Sequence, residues 1–409
     1  MKFSNELLEG LRIAFAAIRA NTLRSTLTTL GVVIGVVTVT LMATAIEGLN
    51  RAFMDSVSSI GADVLYVQRR DWIIRSHDEW MKMRMRRRFD LAQAQAVMTR
   101  VNFAQAMAPG DDYRAAVEYE GKSAGDVRVF GTTADFARVA SLVLDEGRFL
   151  TPAESEGGRP VCVIGAAVAT NLFEVKPALG SRLRLNGKAY EVVGVIEKLG
   201  SPLGGPSLDN QVLIPLPNFI LDFDRTPDIT LHVKVSSLVS LDDAREELRS
   251  IVRQVRRVPP GDPDDFSINQ QEQIVEMFHK VAGTIAAVGL FVTGLSLFVG
   301  GIGIMNIMFV SVTERTREIG IRKAIGARRR TILLQFLLEA AALCLLGGCL
   351  ALAITWPLTW VMREFIPASL SPLVVALALA VSALTGIAAG FLPAWRAARL
   401  DPVEALRSE

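Results

Sequence analysis

The sequence predicts an integral membrane α-helical protein with four transmembrane helices and a large α+β extracytoplasmic domain inserted between spans 1 and 2. Three observations carry this. Half of the 409 residues are hydrophobic, and mean hydropathy is +0.34. The apolar residues are gathered in runs rather than spread, and four runs nearly free of Asp, Glu, Lys and Arg reach the roughly 20 residues that a hydrocarbon core requires. Between the first and second runs lies a long stretch of mixed composition, large enough for a domain with its own core.

The first run lies between Arg24 and Glu47 and the second between Lys280 and Glu314. The third runs from Ala340 to Met362 behind Glu339, and the fourth lies between Glu364 and Arg396. As a helix, the uncharged stretch 281–313 would be roughly 50 Å long against a core of about 30 Å, so it should continue beyond the membrane as a stalk.

Lys2, Arg12, Arg19 and Arg24 precede the first span. Arg315, Arg317, Arg322, Lys323, Arg328, Arg329 and Arg330 crowd the loop after the second, and Arg396, Arg399 and Arg407 follow the fourth. Only Arg363 lies between spans three and four. This bias predicts two cytoplasmic termini and a cytoplasmic 314–330 loop, in a multi-pass plasma (inner) membrane protein whose large domain is periplasmic or extracellular. Residues 3–20 place Leu7, Leu11, Phe15 and Ile18 at helical spacing, which predicts an amphipathic helix on the membrane surface, in contact with lipid.

The predicted order is an interfacial helix (1–22), span one and its stalk (23–48), the external domain (49–275), and a stalk with span two (276–313). A cytoplasmic helix (314–330), span three (331–362), a short external loop (363–371), span four (372–395) and a tail (396–409) follow.

In the external domain, Val64–Val67 reads as a strand. Arg182–Leu185 and Tyr190–Val195 flank Asn186-Gly187, a hairpin signal because a two-residue turn needs positive φ. Ile229–Val235 alternates as a strand does. Ser240 is placed to cap a helix carrying Leu241, Ala244, Leu248, Ile251, Val252 and Val255, ended by Pro259-Pro260-Gly261. Lys82–Arg88 has five basic residues in seven. It reads as a solvated helix face, with anionic lipid or an acidic partner as the functional alternative.

Chemistry is sparse. Gly121-Lys122-Ser123 imitates the end of a phosphate-binding loop, but position 116, where a Gly is needed, is Ala. There is no HExxH and no Gly-x-Ser-x-Gly elbow, and His77, His232 and His279 are far apart. Cys162, Cys344 and Cys349 form no disulfide or zinc pattern. The sequence therefore predicts no catalytic residues, no metal site and no cofactor on this chain, and a net charge of +2 gives no ground for a nucleic-acid partner. Gly31/Gly35 and Gly386/Gly390 are GxxxG pairs, read as candidate dimer faces. Glu339 is expected to accept hydrogen bonds from a neighbouring helix or loop near the inner headgroup boundary.

The run from Gly300-Gly301-Ile302-Gly303 through Met305-Asn306-Ile307-Met308 to Glu314-Arg315-Thr316-Arg317-Glu318-Ile319-Gly320-Ile321-Arg322-Lys323-Ala324-Ile325-Gly326-Ala327 resembles the second span and coupling loop of MacB-like/FtsX-like ABC transporter permeases. Gln335–Ala340, Thr28–Gly35 and the tail from Pro393-Ala394-Trp395 to Arg407 are similar as well. In the external domain, Gly131–Phe136, Glu146–Phe149, Val163–Gly165, Leu179-Gly180, Val192–Val195 and Asp209–Pro215 look like the family's periplasmic core domain. Residues 69–88 match no part of the pattern.

The resemblance implies a permease homodimer driven by a separate ABC ATPase, which would bind the ATP and Mg. The chain starts directly at the permease, so no ATPase is expected on it. ATPase coupling would fall to Glu314, Arg315, Arg317, Glu318, Arg322, Lys323, Gly326 and Ala327, on a short helix with two Gly breaks at 320 and 326. The implied function is export by movement of the external domain (mechanotransmission), with an adaptor (membrane-fusion) protein and an outer channel as further partners. Lipoprotein release and regulation of a cell-wall hydrolase are the alternatives. A membrane enzyme is disfavoured by the missing motifs.

Overall fold

The computed structural model describes residues 22–58, 63–74, 76–174, 176–200 and 207–407. The amphipathic segment expected over residues 3–20 lies outside the described residues. The chain divides into two compact units: one runs to Arg51 and resumes at Lys280, and the other is Ala52–His279.

Helix α1 (Thr22–Ser58) carries the first apolar run and continues ten residues past the predicted boundary at 48. The Ala52–His279 unit then runs β1 (Val64–Gln68), α2 (His77–Met85), α3 (Leu91–Met98), β2 (Ala104–Tyr119), β3 (Lys122–Thr132), α4 (Phe136–Val139) and β4 (Leu144–Gly147). It continues through α5 (Pro152–Gly157), β5 (Val161–Ile164), α6 (Ala166–Phe173), β6 (Arg182–Leu185), β7 (Lys188–Ile196), β8 (Gln211–Pro215), α7 (Leu216–Asp222), β9 (Thr230–Val235), α8 (Leu241–Arg256) and β10 (Ser267–Gln270).

The strand β2 serves two sheets. Its first half, up to Gly110, pairs with β9 in the antiparallel order β10-β1-β9-β2. With α3 after β1 and α8 after β9, this is a split β-α-β arrangement of ferredoxin-like topology. Leu65, Val67, Leu231, Val233 and Ile268 form one core with Ala94 and Val97 of α3 and Ala244, Leu248 and Val252 of α8. From Asp111 onward β2 pairs with β3 and β6. The ladder β2-β3-β8-β5-β7-β6 returns to β2, a closed ring of six strands that leaves few free edges. Gly131 lets β3 pass beneath α7, since a Cβ there would stand 2.2 Å from the Phe219 Cβ.

The predicted hairpin forms between β6 and β7, with Asn186 and Gly187 both at positive φ. The predicted α8 also forms, with two corrections. The Ser240 hydroxyl makes no cap hydrogen bond. The helix ends at Arg257, which takes the left-handed conformation itself, before Pro259 is reached. The basic run is likewise not one solvated face. Arg86 donates to Ser267, Arg87 pairs with Asp265 and Arg88 with Asp224. Fully buried Arg256 grips both Asp265 oxygens at 2.7 and 2.8 Å and the carbonyls of Arg87 and Arg88, knitting the segment to the domain.

One carboxylate joins the two segments that cross between four-stranded sheet and ring. Asp111, at the switch point of β2, accepts from the Asp228 N–H at 3.0 Å on the return segment before β9. Burial raises its pKa to about 6, against the hydrogen bonds from the amides of Asp112 and Asp228, while the charges of Asp112 and Asp228 add to the rise.

After β10 the chain enters α9 (Gln271–Glu314), then α10 (Thr316–Ala324), α11 (Arg329–Met362), α12 (Pro372–Arg399) and α13 (Pro402–Arg407). The helices α1, α9, α11 and α12 are long and apolar enough to cross a membrane. At 44 residues α9 is roughly 66 Å long, about twice the hydrocarbon core, as the predicted stalk requires. The GxxxG pairs are occupied within the chain rather than offered to a second copy. A Cβ on Gly31 would lie 3.1 Å from Gly300 of α9, and one on Gly35 would lie 3.0 Å from Leu297. A Cβ on Gly386 would meet the Ala340 carbonyl oxygen at 2.7 Å, and one on Gly390 would lie 2.4 Å from the Ala340 Cβ. Without a hydrophobic drive between helices in lipid, such backbone approach is what holds α11 against α12.

Two outcomes are expected. Gly386→Val forces a side chain into α11 backbone and should lower the yield of folded protein in detergent, whereas Gly283→Val, with nothing within 4 Å of its Cβ, should not. Equal yields would remove the close-packing argument. Residues 52–279 expressed alone should unfold cooperatively, with a pH dependence set partly by Asp111. Its folded pKa lies above its unfolded value, so its contribution is fully present below pH ~4 and is lost as pH rises through about 6. With allowance for solvent, the loss is ~1–2 kcal/mol. Asp111→Asn should raise the melting temperature at pH 7.5 and flatten the change between pH 5 and 7.5; an unaltered slope would refute it.

Candidate functional site: a clamped helix between spans two and three

The predicted coupling segment forms a helix, α10, set between α9 and α11. Its first turn follows directly on α9: Glu314 ends that helix, and Arg315 occupies the N-cap of α10. Gly320 is not a break. It lies inside α10 and is buried beside Ile319. The break is Gly326, whose φ of +102° suits glycine. There the Gly326 N–H bonds the Lys323 carbonyl and the Ala327 N–H bonds the Arg322 carbonyl, both at 3.0 Å. This pair of bonds is a Schellman motif, which satisfies carbonyls that the helix end leaves open. Gly326 and Ala327 therefore terminate α10.

Three cations tie the helix down. Arg315 pairs with Glu339 of α11 at 3.3 Å, and Glu339 is 3% exposed. This is the donor that the sequence foresaw in kind for Glu339 but did not name. Arg322 donates to Glu318 one turn earlier and to Gln335 of α11 at 2.8 Å. Lys323 donates to the main-chain carbonyls of Ala398 and Leu400, at the end of α12, at 2.7 and 2.6 Å. Burial holds its ammonium below the usual lysine range, as does the charge of Arg329, while Asp401 acts the other way. Against this side also packs α13.

The other side of α10 is open. Glu314, Arg317 and Glu318 are exposed there. So are two isoleucines a turn apart, Ile321 at 44% and Ile325 at 82%. Sequence reasoning missed both, and the signal was present: three isoleucines, Ile319, Ile321 and Ile325, in a loop rich in charge, more than one buried face of so short a helix needs. It also missed Gln335 and the α12 carbonyls, which no spacing rule connects to this loop. An apolar pair inside a ring of charges is the composition of a protein-docking surface, with an apolar centre and a polar rim. Among the described residues no group of three or more His, Cys, Asp or Glu could hold a metal ion.

The Arg315–Glu339 contact has a measurable signature. Removing one partner of a buried pair strands the other charge, at a cost of ~2 kcal/mol here because Arg315 is partly exposed. Arg315→Met should therefore destabilise the chain in detergent more than the double variant Arg315→Met/Glu339→Met does. Additive losses would show that the two side chains do not interact.

Family models match both parts of the chain. Residues 25–251, more than half of it, match the MacB-like periplasmic core domain, and residues 290–402 match the FtsX-like permease C-terminal domain. An uncharacterized ABC transporter permease, YknZ of Bacillus subtilis, is 32% identical over 98% of this chain and 100% of its own length. A macrolide export ATP-binding/permease protein, MacB of Bdellovibrio bacteriovorus, is 31% identical over 99% of this chain and 62% of its own. A pyoverdine export ATP-binding/permease protein, PvdT of Pseudomonas syringae pv. syringae, is 30% identical over 100% of this chain and 60% of its own. The chain thus spans about three fifths of the length of the relatives named as ATP-binding/permease proteins.

Proposed function

Because this chain belongs to the MacB-like/FtsX-like family of ABC transporter permeases, we propose that it is the membrane subunit of an export system in which a partner ATPase docks on α10 and moves the extracytoplasmic domain. The observation that carries this is the two-sided character of α10. One side is anchored to the span helices by Arg315, Arg322 and Lys323; the other presents Ile321 and Ile325 within exposed charges. A loop that served only to set topology would need basic residues but no anchoring and no exposed isoleucines.

In this reading α10 and both termini are cytoplasmic. ATP and Mg bind to the partner, two copies of the permease work as a homodimer, and α1 and α9 carry the motion outward. The names of relatives for macrolide and pyoverdine export favour small-molecule export over lipoprotein release or hydrolase regulation. An adaptor and an outer channel fit the same system.

The test is docking. Ile325→Glu alters the most exposed apolar side chain of the segment and touches no anchoring contact. Tagged Ile325→Glu should reach the membrane at normal levels and lose the ATPase subunit that co-purifies with the unaltered chain. Glu318→Ala should keep the ATPase but weaken export, by releasing Arg322 from its partner on α10. Full ATPase recovery with Ile325→Glu would remove α10 as the docking surface.

A further inference from the structure

We propose that Lys323 is a positioning residue that pins the docking helix to the C-terminal end of the fourth span, so that α10, α13 and the end of α12 move as one block. This rests on the docking reading of α10. The other two anchors join α10 to α11, its neighbour in the chain, through side chains at both ends of the contact. Lys323 differs on both counts. It reaches α12, an element to which α10 has no direct chain connection, and its acceptors are main-chain oxygens.

Those oxygens are the ones a helix end leaves open. In the last turn of α12 the Ala397 carbonyl accepts from the Leu400 N–H, and Pro402, lacking an N–H, keeps the chain from continuing as helix and satisfying the carbonyls that follow. The chain turns there instead: Asp401 accepts from the Val403 N–H at 2.9 Å and starts α13. An ammonium placed between the Ala398 and Leu400 carbonyls meets the negative end of the α12 dipole. Backbone carbonyls at a helix terminus have no rotamers to change, so two of them fix the position of an ammonium group. Ile319, one turn before Lys323, lies in the same apolar cluster as Ala394 and Ala397 of α12, so the pin and the packing act at one place. A push on the exposed side of α10 therefore reaches the fourth span through Lys323.

The experiment compares Lys323→Met and Lys323→Arg in the full chain, purified with its co-purifying ATPase in nanodiscs, by amide hydrogen exchange. In Lys323→Met, exchange across residues 394–405 should rise roughly fivefold, the scale of a lost charge–dipole contact. The ATPase should stay bound, and the change in exchange that ATP with Mg induces in residues 52–279 of the unaltered complex should be lost. Lys323→Arg, which keeps a cationic donor, should restore both. Unchanged exchange at 394–405 would overturn the pin. Faster exchange there with a normal ATP response would overturn its role in coupling. Loss of the ATPase from Lys323→Met would overturn positioning in favour of a direct docking contact. Failure of the unaltered chain to bind any ATPase would sink the docking reading instead, and exchange at 394–405 would still decide whether the pin exists.

Discussion

The pairing of β1 with β10 is the contact on which the extracytoplasmic unit depends. Leu65 faces Gln270 and Gln68 faces Ser267, so the chain enters the sheet at Val64 and leaves it at Gln270 at the same end of two adjacent strands. Just outside that end the rings of Phe53 and Phe278 stack at 4.2 Å. Everything between is a closed excursion, and the entropy of closing it grows only slowly with its length. That is why the other five strands of the ring can sit between β2 and β9 in the chain without disturbing the frame. The register also fixes where the ring emerges. Val64 and Ala106 both lie opposite Lys234, while Val67 and Pro109 both lie opposite Leu231. Thus β2 runs alongside β1 in direction and passes into the ring at the far end of the sheet. Motion of the strand ends at Val64 and Gln270 would have to cross the sheet to reach it.

Much of this was legible in the sequence, and the limit lies where partners are distant. The spans were read from charge-free runs because a charged side chain on a helix in the hydrocarbon core is costly. The hairpin at Asn186-Gly187 and the apolar face of α8 were read because each is local, with turn chemistry in one case and a 3.6-residue period in the other. Closure of the ring was not legible, since it depends on short β6 pairing with both β2 and β7. The GxxxG pairs were found but assigned to the wrong partner. Small residues permit close approach without saying to what, and here Gly300 and Ala340 of the same chain fill the space. The basic run at Lys82–Arg88 failed for a related reason. Charge density was visible, but Asp224, Asp265 and Ser267, which take up its last three arginines, lie far along the chain.

The α10 segment divides the same way. Its existence, its charge and the family resemblance came from contiguous residues. The roles within it did not. Gly326 and Ala327, expected among the coupling residues, close the helix where a break at 326 is expected, whereas Gly320, expected as a second break, is packed inside it. The most exposed apolar residue, Ile325, drew no notice because hydrophobic residues on a surface are ordinary one at a time. It becomes informative only when Ile321 is found exposed beside it on a helix whose opposite side is anchored.

That anchoring is better understood as specification than as stability. A largely buried ion pair such as Arg315–Glu339 gives up hydration on both sides and returns little net free energy, and an apolar pair of similar volume would hold the helix about as well. What an apolar pair would not do is fix the direction of α10. Ridges of aliphatic side chains slide and re-pack at small cost, whereas a guanidinium bound to one carboxylate and an ammonium bound to two carbonyls have few alternative seats. For a helix that must receive a push on one side and deliver it on the other, a fixed angle matters more than a deep well. The charges facing inward thus set where the exposed isoleucines point, and the exposed isoleucines give the inward charges something to transmit.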